Sequence, residues 1–143
     1  NYAGQPWKTQ EKVRYVMDNL YGSNEDGYCG DEDNGQTSAW FLFSSMGFYP
    51  VAPVTGQYVI GSPLFEKVEI QLSNNKKIII NSKENNTKSV YIDKVFINNK
   101  QYYNNWLSHS NLIKGLKIDF IMNEIPNFEW GCKQESVPFS VSN

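Results

Sequence analysis

Along the chain the spacing of apolar positions changes once, from a helical period to a strand period, near residue 56. In "PWKTQEKVRYVMDNL", residues 6–20, Val13, Val16, Met17 and Leu20 recur at helical spacing behind Pro6, which predicts an amphipathic helix. Residues 21–36 are Gly, Ser, Asn, Asp and Glu in quick succession, the chemistry of a loop. A second helix is expected from about Thr37 to Met46, with Gly47 as its stop. "SAWFLFSSMGFYP" is apolar nearly all round, so that helix should be buried on most faces.

From Gly56 onward the period is two. "EKVEIQL" sets Val68, Ile70 and Leu72 against Glu66, Glu69 and Gln71, apart from one slip near Lys67. "KKIIIN", "SVYIDKVFIN", "LKIDFIM" and "PFSVS" read as further strands, and "SHSNLIKG" as a short capped helical turn. Asn74-Asn75 and Asn98-Asn99 fall between strands, where residues tolerant of positive φ make hairpin turns. The expectation is an α+β chain: two helices in residues 1–55, then an antiparallel sheet or small sandwich in residues 56–143. Two helices, one of them apolar all round, cannot bury themselves against each other. Further helices outside this sequence are the expected cover.

Composition narrows the class. The 143 residues are 40% hydrophobic and 15% aromatic, enough apolar surface for one ordinary core, which argues against disorder. Thirteen basic and fifteen acidic residues give a net charge of −2, so no overall positive field exists to hold a phosphate backbone, and nucleic acid is not an expected partner. No apolar run approaches the roughly 20 residues that span a bilayer, so no membrane partner is expected either. The sequence starts at Asn1 without an initiator Met, and is read as a processed, nicked or subcloned piece of something longer. Cys29 and Cys132, with no CxxC, exclude a zinc framework and leave one disulfide and the redox compartment open.

The concentrated charge lies in "GDEDNGQ", residues 30–36, directly before the apolar helix. Asp31, Glu32 and Asp33 can form a solvated loop capping that helix, with Asn34 as N-cap and a carboxylate gaining about 0.3–1 kcal/mol from the dipole. A calcium loop of the EF-hand type fails, because its sixth and twelfth positions would be Gln36 and Leu42. A looser oxygen-ligand site stays open. The third reading is catalytic: a carboxylate aimed at a helix N-terminus is kept charged by the dipole and free N–H groups, as a general base must be. If residues 31–33 are locally extended, Asp31 and Asp33 share one side and could grip a water together.

Other chemistry is sparse. His109, the one histidine, reads as a turn or capping residue, and no GxSxG, P-loop or GxGxxG occurs. Trp40 and Phe48 read as core, while Trp7, beside Gly4-Gln5-Pro6, is divided between core and a sugar-stacking role.

"YAGQPWKTQEKVR", "GDEDNGQTSAWFLFSSMGFYPVAP" and "YVIGSPLFEKVEI", in this order and spacing, closely resemble the C-terminal portion of glycoside hydrolase family 92, calcium-dependent exo-acting α-mannosidases. The tail "IKGLKIDFIMNEIPNFEWG" resembles the end of that family's catalytic region. The resemblance implies inverting hydrolysis of terminal α-mannose on glycans, by an (α/α)6 toroid preceded by a β-sandwich. Residues 1–55 would be the last helical hairpin of the toroid, carrying the acidic active-site loop. By motif position it assigns the base to Asp31 and Asp33, and weakly a sugar-proximal role to Gln36. Trp7 is kept as a weak substrate contact.

The family's general acid and the Asn-Glu motif tied to its calcium match nothing from Asn1 onward. Calcium ligands are therefore expected mainly from upstream segments, and no ligand is assigned here. The partners implied are a mannose-containing glycan and the rest of the same polypeptide, and the isolated chain should be inactive. A secreted or periplasmic bacterial enzyme is the implied setting. The competing reading is a non-catalytic carbohydrate-binding or interaction module using Tyr102, Tyr103 or Trp106 of the β half.

Overall fold

The computed structural model describes residues 1–141. In chain order the elements are α1 (Pro6–Leu20), α2 (Gln36–Ser45), β1 (Phe48–Tyr49), β2 (Gln57–Ile60), β3 (Lys67–Gln71), β4 (Lys77–Lys83), β5 (Tyr91–Ile97), β6 (Lys100–Tyr102), β7 (Trp106–Ser108), α3 (His109–Leu112) and β8 (Leu116–Asn123). Both long helices lie where periodicity puts them, and the short turn at His109 is helical. Pro6 opens α1, where its missing N–H has no partner to lose.

The face that α1 buries is not the one its apolar residues suggest. Pro6, Gln10, Arg14 and Met17 are buried, while Leu20 is exposed. Two polar residues can lie there because the β half satisfies them. Gln10 Oε1 accepts the Ile92 N–H at 3.0 Å. The Arg14 guanidinium donates to Pro63 O and Asn85 Oδ1, each at 2.9 Å, and to Asn86 O at 3.2 Å. Burial pushes the Arg14 pKa down, and the charge of Asp18 one turn on opposes that shift. These bonds fasten α1 to β5 and to the loops that precede β3 and β5.

α2 departs from the expectation of burial on most faces. Ser44 and Ser45 are buried, whereas Trp40, Phe41 and Phe43 are half-buried and Leu42 is 59% exposed. The β half covers one side of this helix and α1 leaves much of the rest open. Gly47, at φ 98°, ends it as expected; a Cβ there would meet Pro63 at 3.2 Å.

The strands form two sheets. β1-β2-β7 is antiparallel throughout, so β1, directly after α2, pairs with β2 of the β half. The second sheet has the order β3-β4-β8-β5-β6. Its β4–β8 ladder is parallel, from Ile78↔Leu116 to Lys83↔Ile121, which corrects the wholly antiparallel expectation: the sheet is mixed. Alternation reveals which face a residue takes, not the direction in which its strand runs. Gly115 makes the insertion of β8 feasible, since at φ 74° a Cβ would lie 2.9 Å from Lys76 Cβ and Lys77 O.

The hairpins at Asn74-Asn75 and Asn98-Asn99 form as predicted, with Asn75, Asn98 and Asn99 at φ 61°, 50° and 66°. Ile80, Ile92, Val95, Ile118, Phe120 and Met122 fill the core, each at most 1% exposed. The strand expected in "PFSVS" does not form over residues 138–141, where Phe139 and Val141 are 60% and 93% exposed; Ser142 lies outside the described residues. The Phe139 N–H donates instead to the Gln57 side chain, at 2.8 Å from Oε1. Cys29 and Cys132 are both free thiols.

Candidate functional site

The acidic loop is held by its backbone. Residues 33, 34 and 35 take successive positive φ values of 51°, 59° and 93°, so the chain curls into α2 through a left-handed turn. Asp and Asn tolerate this conformation better than other side chains, and glycine supplies the last step. The extended stretch that would set Asp31 and Asp33 on one side by parity is thus interrupted at Asp33. The turn also displaces Asn34 from the cap: Gly35 is the N-cap of α2, and no side chain bonds to it there.

Glu32 does the capping instead. Its carbonyl accepts the Thr37 N–H at 3.1 Å and its Oε1 accepts the Ser38 N–H at 3.3 Å. Thr37 Oγ1 donates to Asp31 O at 2.9 Å, and the Gln36 N–H reaches Asp33 O at 3.3 Å. Oε2 of Glu32 is buried without a partner among the described residues. The middle carboxylate therefore secures the loop and leaves the outer two free. Asp31 and Asp33 are exposed, and neither carboxylate takes part in a hydrogen bond or ion pair among the described residues.

Aromatic rings lie beneath the loop. Tyr21, directly after α1, stacks on Trp40 at 5.6 Å and packs on Phe41 at 4.8 Å, while its hydroxyl donates to Thr37 O at 3.2 Å. Tyr28 meets Tyr21 edge-on at 6.0 Å, and its hydroxyl lies 2.8 Å from Ser38 Oγ. Burial, then the nearby ionisable groups Cys29 and Glu32, raise the Tyr21 pKa and keep it a hydrogen-bond donor. Sequence reasoning missed Tyr21, Tyr28 and the capping role of Glu32. The available signal was two tyrosines flanking a Gly-rich segment beside an apolar helix.

Of the four sequence-predicted residues, Asp31, Asp33 and Gln36 are brought into one turn. Trp7 is elsewhere: at about 1.5 Å per residue it lies roughly 20 Å along α1 from Tyr21. It packs edge-on against Phe128 at 5.2 Å, with Lys8 Nζ 5.1 Å from its ring centre. An apolar cleft of about 490 Å³ lies between α2 and the β3–β4 hairpin, lined by Phe43, Val68 and Ile70, and the acidic loop does not border it. Among the described residues no three His, Cys, Asp or Glu side chains converge as metal ligands.

Comparison with known proteins gives the family. The profile of the glycosyl hydrolase family 92 catalytic domain matches residues 1–124, and the chain belongs to that family. An inverting family GH92 mannosidase from Bacteroides thetaiotaomicron is 46% identical and superimposes with a TM-score of 0.94 over 99% of this chain. A GH92 α-mannosidase of the same organism, solved with mannoimidazole, is 36% identical over 98% of the chain, also with a TM-score of 0.94. A curated relative, an uncharacterized secreted glycosidase of Arthroderma benhamiae, is 26% identical over 99% of the chain. The chain spans 19%, 18% and 18% of these three proteins, respectively. It is a hydrolase-family segment about a fifth of its relatives' length.

Proposed function

We propose that this chain is the base-bearing segment of an inverting exo-α-mannosidase acting on terminal α-mannosides of glycans. The observation that carries the reading is the division of labour in the acidic loop: Glu32 is spent on capping α2, while Asp31 and Asp33 stay free of partners. Inversion needs an ionised carboxylate to activate water on the face opposite the leaving group, and a carboxylic acid roughly 6.5–9.5 Å away to protonate the departing oxygen. Asp31 and Asp33 take the first role jointly, one accepting the proton of the water and the other orienting it. Gln36, on the same turn, donates its amide to a sugar hydroxyl.

The general acid comes from another segment, as do the helices and β-sandwich that enclose the sugar over the open face of α2. The 1–55 portion is the last helical hairpin of an (α/α)6 toroid in this reading, and residues 56–143 its companion β region. Calcium belongs to the same expectation, with its ligands outside this chain. Alone the chain has no hydrolytic activity. Export is part of the proposal: one relative is named a secreted glycosidase, and no described helix is long and apolar enough to cross a membrane.

The test is mannose release from α-mannosides by the longer polypeptide carrying this segment, with calcium present. Asp31→Ala and Asp33→Ala should each lower kcat by about 10²–10⁴, the usual worth of a positioned general base. Full activity in either variant removes that residue from the base.

A further inference from the structure

A polar cleft of about 270 Å³ opens on the β half, and no residue of the acidic loop lines it. Asp93 and Lys94 of β5, Gln101 of β6, Tyr103, Glu129 and Lys133 line it. Its floor is tied down. Asn127 Nδ2 donates to Asp93 O at 2.9 Å and to Asp93 Oδ1 at 3.2 Å, and its Oδ1 accepts the N–H groups of Glu129 and Trp130 at 2.8 and 3.0 Å. Trp130, 4% exposed, donates its indole N–H to Tyr102 O at 2.9 Å. Tyr102 is in turn engaged through its hydroxyl with Trp106 O at 2.7 Å. Of the aromatics that line the cleft, Tyr103 is open, at 58% exposure, and Trp130 is buried; Phe128, 62% exposed, does not line it.

The charges around the cleft cancel. Two carboxylates face two ammonium groups, and Lys94 pairs with Asp93 at 3.5 Å. Such a lining has no net field to concentrate a phosphate or a divalent cation. It does have unspent hydrogen-bonding groups, for the side chains of Gln101, Tyr103 and Glu129 bond to nothing else among the described residues. An open aromatic face beside free donors and acceptors suits a ligand that is apolar on its C–H face and hydroxylated at its edge. The volume lies just under the roughly 300–1,000 Å³ of sites for drug-sized ligands, room for one ring and not for a chain of them.

We propose that this cleft is an auxiliary binding site for a single neutral pyranose unit of a glycan. Tyr103 packs on the sugar ring, and Gln101 and Glu129 bond its hydroxyls. The site is separate from the acidic loop and does not depend on the catalytic reading.

Titrating the ¹⁵N-labelled chain with methyl α-mannoside, and in parallel with inorganic phosphate, tests it. The mannoside should give saturable amide shifts centred on residues 101–103 and 127–133. Tyr103→Ala should weaken binding at least tenfold, Gln101→Ala severalfold, and Tyr103→Phe should bind within about threefold of the parent. Because Tyr103 is exposed, a dispersed spectrum of the alanine variant separates lost binding from lost fold. Absence of saturable shifts, shifts centred instead on residues 31–36, or phosphate binding tighter than the mannoside at the cleft would each overturn the proposal.

Discussion

The bond between Gln10 and Ile92 offers a sharp test of how the helices are attached. Gln10 is 1% exposed, and its Oε1 accepts the N–H of Ile92, itself 1% exposed. Ile92 stands at the irregularity in the β5–β8 ladder, between the pairs Ile92↔Met122 and Lys94↔Ile121. Gln10 thus supplies from a helix the acceptor for a strand donor. Gln10→Met keeps the length and approximate volume of the side chain while removing that acceptor. A made hydrogen bond contributes only about 0.5–1.5 kcal/mol net, but a buried donor left without a partner costs about 1–3 kcal/mol. The expected loss is therefore about 2 kcal/mol, against a total stability on the order of 5–15 kcal/mol. At roughly 3–5 °C per kcal/mol for a chain of this size, Tm should fall by about 6–10 °C. Circular dichroism melts measure the shift, and hydrogen exchange at the Ile92 amide locates it. An unchanged Tm with unchanged Ile92 protection would refute the reasoning, because it would mean that this donor does not rely on Gln10.

Two further outcomes follow from single sites. Burial raises the Asp119 pKa, but hydrogen bonds from Lys117 Nζ at 2.8 Å and Asn81 Nδ2 at 2.9 Å, with the charges of Lys117 and Lys83, outweigh it and leave the group below its ordinary 3.8. A depressed folded-state pKa contributes stability that is present above the unfolded value and lost as pH falls through the folded one. Asp119→Asn should therefore narrow the gap in urea midpoint between about pH 5 and about pH 2; parallel losses in parent and variant would refute the coupling. In the β5–β6 turn, Asn99 at φ 66° is exposed, so Asn99→Val should cost about 1–2 kcal/mol in chemical denaturation while Asn99→Gly is tolerated. Equal midpoints for the two variants would show that the turn is not strained.

The helix spans, both asparagine hairpins and the alternating strands were legible because each depends on neighbours a few residues away. Asp31 and Asp33 were legible as a charge cluster before an apolar helix. Neither Glu32's capping bond to Ser38 nor the tyrosines under the loop could be read, because they depend on a left-handed turn and on Tyr21 folding back onto Trp40. A strand was expected in residues 138–142 from alternation alone, and none forms over the described part, 138–141.

The order of residues by itself determined the local conformations, the balanced charge and the place of the acidic cluster before α2. These follow from periodicity, turn chemistry and capping, which act over one or two turns of chain. Only the tertiary structure decided that β8 slots between β4 and β5 and runs parallel to β4, from Ile78↔Leu116 onward, that Gln10 and Arg14 are buried, and that α2 keeps an open apolar side. Those outcomes depend on long-range partners. A polar side chain is stable in the interior only where another segment brings it a hydrogen bond, and no local pattern encodes which segment that will be.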